Sequence, residues 1–95
     1  MIRHSVLITV KPDATTEEIT QLVESTRSLA ADIPLIRQWE VGRGLNPCGA
    51  TVGIVGLFDS LEDYAAYHAH PAHKACAQNY IVPIMASGVQ VQFEV

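Results

Sequence analysis

The sequence predicts an α+β domain of ferredoxin-like architecture. It has the order β-α-β-β-α-β, with a four-stranded antiparallel sheet and its helices on one face. Three observations carry this. The first and last segments alternate apolar and polar residues, the mark of a strand with one buried face. A helical apolar period fills the stretch between the first two strands. A second helical stretch follows the third strand and is broken in two at Pro71.

Taken in order, Ile2, His4, Val6, Ile8 and Val10 share one face of the first strand, and Pro12-Asp13 ends it. Thr15 and Glu18 form a capping box, and Ile19, Leu22, Val23, Thr26, Leu29 and Ala30 make the apolar stripe of the first helix. Asp32-Ile33-Pro34 breaks that helix. Alternation from Leu35 to Arg43 predicts the second strand, followed by a turn-rich loop through Gly49. Thr51 to Phe58 is apolar throughout and predicts a strand covered on both faces. Ser60 caps a short helix, and Pro71 opens the next one at its first position. That helix is expected to run through Cys76 and Tyr80 and to be disturbed near Pro83, with Ser87-Gly88 resetting the chain. Val89, Val91, Phe93 and Val95 then alternate with Gln90, Gln92 and Glu94 in the last strand.

Ninety-five residues form one domain, 1–95. Hydrophobic residues make up 48% of it and the mean hydropathy is +0.18, high for so short a chain. Several strands are apolar on both sides, so a second copy packing sheet against sheet is expected to cover the face the helices leave open. The six Lys and Arg are scattered and the net charge is −4, which argues against a nucleic-acid partner or an anionic membrane surface. No apolar run reaches the roughly 20 residues of a membrane span, and no charged-then-apolar leader precedes Ile2, so a cytoplasmic location is expected. Cys48 and Cys76 match no metal-ligand spacing and are expected to be reduced thiols.

The chemistry-bearing residues gather in Tyr64-Ala65-Ala66-Tyr67-His68-Ala69-His70-Pro71-Ala72-His73, which holds three of the four histidines and two of the three tyrosines. Imidazole and phenol are the side chains suited to moving protons near neutral pH. His68, His70 and His73 straddle a proline at a spacing that matches no standard ligand pattern, so no metal is expected. His70 precedes proline, is biased out of the helical region, and is expected to shape the turn. His68 is read as a surface or interface residue. Trp39 is expected to fill the space between paired sheets rather than line a pocket.

Arg3-His4-Ser5-Val6-Leu7, Ile33-Pro34, Phe58-Asp59-Ser60-Leu61-Glu62 and above all Tyr67-x-x-His70-Pro71-Ala72-His73 resemble the stress-responsive dimeric α/β-barrel (Dabb) family over essentially the whole chain. The resemblance implies a homodimer whose sheets close into a barrel. One branch of the family cyclises linear polyketides without a cofactor, and the motif match implies His73 as base and Tyr67 as acid or oxyanion donor. It also implies His4 as a polar wall of a substrate site. Val52 falls where that branch has a histidine on strand three, and Thr26 about where it has a tyrosine late in helix one. Both are expected to line the substrate site, with a pocket lining that differs from the cyclase. The expected function is therefore proton transfer α to a carbonyl of an apolar small molecule, with no cofactor and no metal. The alternatives are a non-catalytic stress or assembly protein in which His-Pro-x-His is structural, and a cofactorless or haem-dependent monooxygenase of the same barrel superfamily, whose sites use residue types such as Trp39 and Asn79.

Overall fold

A computed structural model describes all residues, 1–95. The chain forms β1 (Ile2–Val10), α1 (Thr16–Asp32), β2 (Gln38–Arg43), β3 (Val52–Phe58), α2 (Leu61–Ala69), α3 (Pro71–Cys76), a π-helical turn (Ala77–Ile81) and β4 (Met85–Glu94). The sheet order is β2-β3-β1-β4 and every pairing is antiparallel. This is the expected ferredoxin-like fold, with all helices on one face.

Most local signals act as read. Thr15 accepts from the Glu18 backbone while the Glu18 side chain accepts from the Thr15 backbone, which closes the capping box of α1. Ile19, Leu22, Val23, Thr26 and Leu29 are buried against the sheet, whereas Ala30 faces solvent. Ser60 caps α2, and Pro71 stands at the start of α3.

Three boundaries differ. The second strand begins at Gln38 rather than Leu35, because Ile33 to Ile36 form a turn in which the Ile36 N–H donates to the Ile33 carbonyl. Ser87-Gly88 does not interrupt β4: the β1 edge supplies partners for both, pairing Thr9 with Ser87 and Ile8 with Gly88. The last helix widens into a π turn, in which Val82 N–H donates to the Ala77 carbonyl at 2.8 Å. The widening lies just before Pro83, which has no N–H to continue an α-helical ladder.

The core lies between the sheet and α1. Ile8, Ile19, Leu22, Val23, Val41, Val52, Ile54 and Ile84 form one cluster, and Leu29, Ile33, Phe58, Tyr67 and Cys76 a second under α2 and α3. Trp39 sits on this helix side, half-buried, with its indole N–H donating to the Thr26 carbonyl at 2.8 Å. It therefore fills the core between α1 and β2, not a space between paired sheets. Its ring covers Gly56, its cross-strand partner, where a Cβ would come within 2.6 Å of Cζ3. Arg27 of α1 donates to the Val41 carbonyl and so ties the helix to the β2 edge.

The opposite face of the sheet is uncovered. Register places Leu7 beside Val89, Ser5 beside Val91 and Arg3 beside Phe93. Leu7, Val89, Val91 and Phe93 are all exposed. The apolar side of β4 thus points away from the helices, and its polar side, Gln90 and Gln92, points towards them.

Candidate functional site

His4, Tyr67 and His73 come from three elements and meet beneath the helices. β1 carries His4 on its helix-facing side, opposite Gly56 on β3 and Gln92 on β4. The His4 ring packs among Tyr64 at 4.9 Å, Tyr67 at 5.8 Å and Phe58 at 6.4 Å between centroids. Tyr67 lies on the buried side of α2, one ring away from Phe58 and Trp39.

His73 reaches this place because the helix breaks. His70 adopts an extended conformation, as expected before proline, and its Nδ1 accepts from the Ala72 N–H to cap α3. The chain then turns so that His73 Nδ1 stands 3.0 Å from the His68 carbonyl. A carbonyl only accepts, so Nδ1 carries the proton and Nε2 keeps its lone pair. The His73 ring lies 4.7 Å from that of Tyr67.

Electrostatics assign complementary states. Burial, with Tyr64 and Cys76 adding to it, raises the Tyr67 phenol well above its usual range, so it stays protonated and acts as a donor. Burial also lowers His73, and the neighbouring His68 charge lowers it further against a smaller opposing effect of its backbone hydrogen bond. His73 is therefore neutral and ready to accept a proton near pH 7. His4 is pushed down to about 4, chiefly by burial and then by the charges of His73 and His68. It is neutral throughout the physiological range.

These groups line one end of a cavity of about 320 Å³. The rest of its wall is largely apolar, including Val6, Ile8, Leu29, Ile54, Ile81 and Met85. Size and lining match a small-molecule site. No Asp, Glu, Lys or Arg contributes to the wall, so the space suits an uncharged ligand. An unpaired Ala86 in the β1–β4 ladder turns Met85 into the cavity, since Val10 pairs with Met85 and Thr9 with Ser87. No group of three or more His, Cys, Asp or Glu side chains converges in a metal-binding arrangement.

Of the residues expected at the site, the structure brings together His4, Tyr67, His73 and Thr26. The Thr26 hydroxyl donates to the Leu22 carbonyl at 2.7 Å, so that residue contributes shape rather than a free donor. Val52 does not line the cavity: it is fully buried in the cluster with Ile8, Leu22 and Val41, where a valine packs without loss. His68 is exposed, as expected, yet its carbonyl orients His73 and its ring stands 5.1 Å from that of His73 at the cavity wall. Sequence reasoning missed Gln92, whose Nε2 lies 2.8 Å from Nδ1 of His4, and Gln90, which lines the cavity. Only the pairing register of β4 with β1 reveals them, and no local signal carries it.

Solved structures share this fold. A dimeric ferredoxin-like protein of unknown function from Bacteroides fragilis is 29% identical, with 99% of this chain and 95% of that one covered at a TM-score of 0.89. A dimeric ferredoxin-like protein from Thermobifida fusca is also 29% identical, with 99% and 90% covered at 0.88. Two more distant matches bear enzyme names: a hydroxynitrile lyase from Passiflora edulis (21% identical, 99% and 92% covered, TM-score 0.86) and an antibiotic biosynthesis monooxygenase (12% identical, 100% and 98% covered, 0.84). At such identities they show the fold alone. No curated protein matches the chain. The model of the stress-responsive A/B barrel domain matches residues 2–95, the span over which the sequence resemblance runs, and with it the chain belongs to the Dabb family.

Proposed function

We propose that this Dabb protein is a cofactor-independent proton-transfer enzyme acting on an uncharged, mostly apolar carbonyl compound. The observation that carries the reading is the pairing, in one cavity, of a neutral imidazole with a free Nε2 and a phenol kept protonated by burial. His73 Nε2 takes a proton from the carbon next to the carbonyl. The C–H electron pair moves into the developing enolate, whose oxygen accepts a hydrogen bond from Tyr67. Return of the proton to a different carbon gives isomerisation, and attack of the enolate on a second carbonyl gives ring closure. Apolar walls hold the remainder of the ligand and exclude water.

The test needs no knowledge of the natural substrate. Protein is incubated in heavy water with methyl pentyl ketone, a neutral probe with an apolar tail, and deuterium uptake next to the carbonyl is followed by NMR. Uptake above the buffer rate that disappears in His73→Ala and drops in Tyr67→Phe is expected. Unchanged uptake in both variants would sink the reading.

A second reading has its own support. Two motif histidines are engaged with backbone: His70 caps α3, and His73 bonds the His68 carbonyl and so clasps α3 to α2. A non-catalytic assembly protein would need no more. Under that reading the wild-type protein promotes no exchange on any carbonyl probe, and His73→Ala lowers only the melting temperature. Beyond the shared fold, the side chains named for the monooxygenase reading do not support it: Trp39 lies outside the cavity wall, and Asn79 opens onto a separate groove with Ser25 and Ser28. For the functional unit we infer a homodimer joined through the exposed apolar sheet face; the Bacteroides fragilis and Thermobifida fusca structures are dimeric.

A further inference from the structure

His4 is a deeply buried ionisable group of the cavity, 3% exposed. Phe58, Tyr64 and Tyr67 enclose its ring, and the titratable groups around it are Tyr64, Tyr67, His68 and His73. Its side chain has one polar contact, Nε2 of Gln92 at 2.8 Å from Nδ1. The same amide nitrogen lies 3.5 Å from Oε1 of Gln90, so its two hydrogens face two acceptors. If Nδ1 of a neutral imidazole accepts, the single ring proton sits on Nε2. His73 is set the opposite way, with Nδ1 donating to the His68 carbonyl and Nε2 bare. Two imidazoles in one cavity are thus held in opposite tautomers, one by β4 and the other by the end of α2.

We propose that Gln92 is a positioning residue that fixes His4 as a second hydrogen-bond donor of the site, Nε2–H, alongside the Tyr67 hydroxyl. This deepens, and rests on, the assignment of His73 and Tyr67 as the proton-transfer pair. The division of labour follows from proton inventory. A base must present a lone pair, and His73 does so. An oxyanion is stabilised by preorganised donors, and a single phenol supplies only one. His4 supplies the next, provided its tautomer is set before the ligand arrives. The placement of Gln92 on the helix-facing side of β4 gains a purpose here: the polar side of the strand serves the site, while its apolar side faces outward.

The tautomers are read by long-range proton–nitrogen NMR of the histidine rings in isotope-labelled full-length protein at about pH 7.5, where neutral imidazole prevails. His4 should show a bare Nδ1 and a protonated Nε2, with a coupling across the hydrogen bond to the Gln92 side-chain nitrogen. His73 should show the reverse pattern. Gln92→Glu removes the donor and offers only an acceptor, so the His4 proton should move to Nδ1. Exchange on methyl pentyl ketone should then fall about 100-fold in kcat with KM little changed. Gln92→Leu, which keeps the bulk of the side chain, should abolish the coupling, and circular dichroism reports whether each variant is folded. A wild-type His4 protonated on Nδ1, or a Gln92→Glu protein that keeps Nε2–H, would overturn the assignment. The tautomers are read without substrate. The expected pattern in a protein that exchanges no carbonyl probe therefore overturns the proton-transfer reading and leaves the Gln92 contact standing.

Discussion

At Gly56 the packing of the core depends on a missing side chain. Trp39 lies across this position, and an added Cβ would meet its ring at 2.6 and 2.7 Å. Gly56→Ala should therefore displace the indole from the Thr26 carbonyl and cost about 1–3 kcal/mol, the range for overpacking a filled site. Trp39 is the only tryptophan, so the shift should appear as a change in its emission together with a lower urea midpoint. The histidines make a second prediction at this scale. Folded His4 titrates at about 4 and folded His73 below its ordinary value, whereas both titrate near 6.5 when unfolded. Between those limits the unfolded chain binds more protons, so stability is complete above pH ~6.5 and declines as pH falls towards 4. Urea midpoints measured across that window should fall on acidification. Replacing His4 by Asn should flatten the slope, and a slope unchanged by the substitution would contradict the buried, neutral state of that ring.

At the scale of single elements, the strongest sequence signals were those complete within a few residues. Thr15 and Glu18 close their box within one turn of α1, and Thr15→Ala should lower stability by about 1 kcal/mol, read as a drop in melting temperature without change in the site. The break between α2 and α3 was equally legible, because Pro71 constrains His70 by sterics alone. What the break accomplishes was not legible. It turns the chain so that His73 reaches back to the His68 carbonyl, a contact five residues away that a continuous helix would not form. β4 shows the limit of periodicity most clearly. Its alternation was evident, but alternation does not say which face meets the helices. Pairing of Leu7 with Val89 and of His4 with Gln92 settles that its valines point outward and its glutamines inward.

For the molecule as a whole, two surfaces need cover and one face of the sheet has none. Helices shield Val52, Ile54 and Phe58, while Leu7, Val89, Val91 and Phe93 remain open to solvent in the single chain. A charged residue in the middle of this face, as in Val91→Lys or Phe93→Asp, should convert a dimer to monomers on light scattering after gel filtration. A loss of melting temperature that depends on protein concentration in the wild type should accompany it. A wild-type chain that elutes as a monomer at micromolar concentration would contradict this. No helix is long and apolar enough to cross a membrane.

The sequence by itself determined the order of elements, most of their caps and breaks, and the residue types able to move a proton, because each of these rests on neighbours a few positions apart; the family followed from motifs spread over the whole chain. Only the tertiary structure decided that His4, Tyr67 and His73 share a cavity, that Val52 belongs to the packed core, and that Trp39 lies under α1 rather than between sheets. It also brought Gln92 to His4 across 88 positions of chain. Such encounters depend on strand register and on the side of the sheet each helix covers. Both are fixed by the joint burial of many side chains, and no local pattern encodes them.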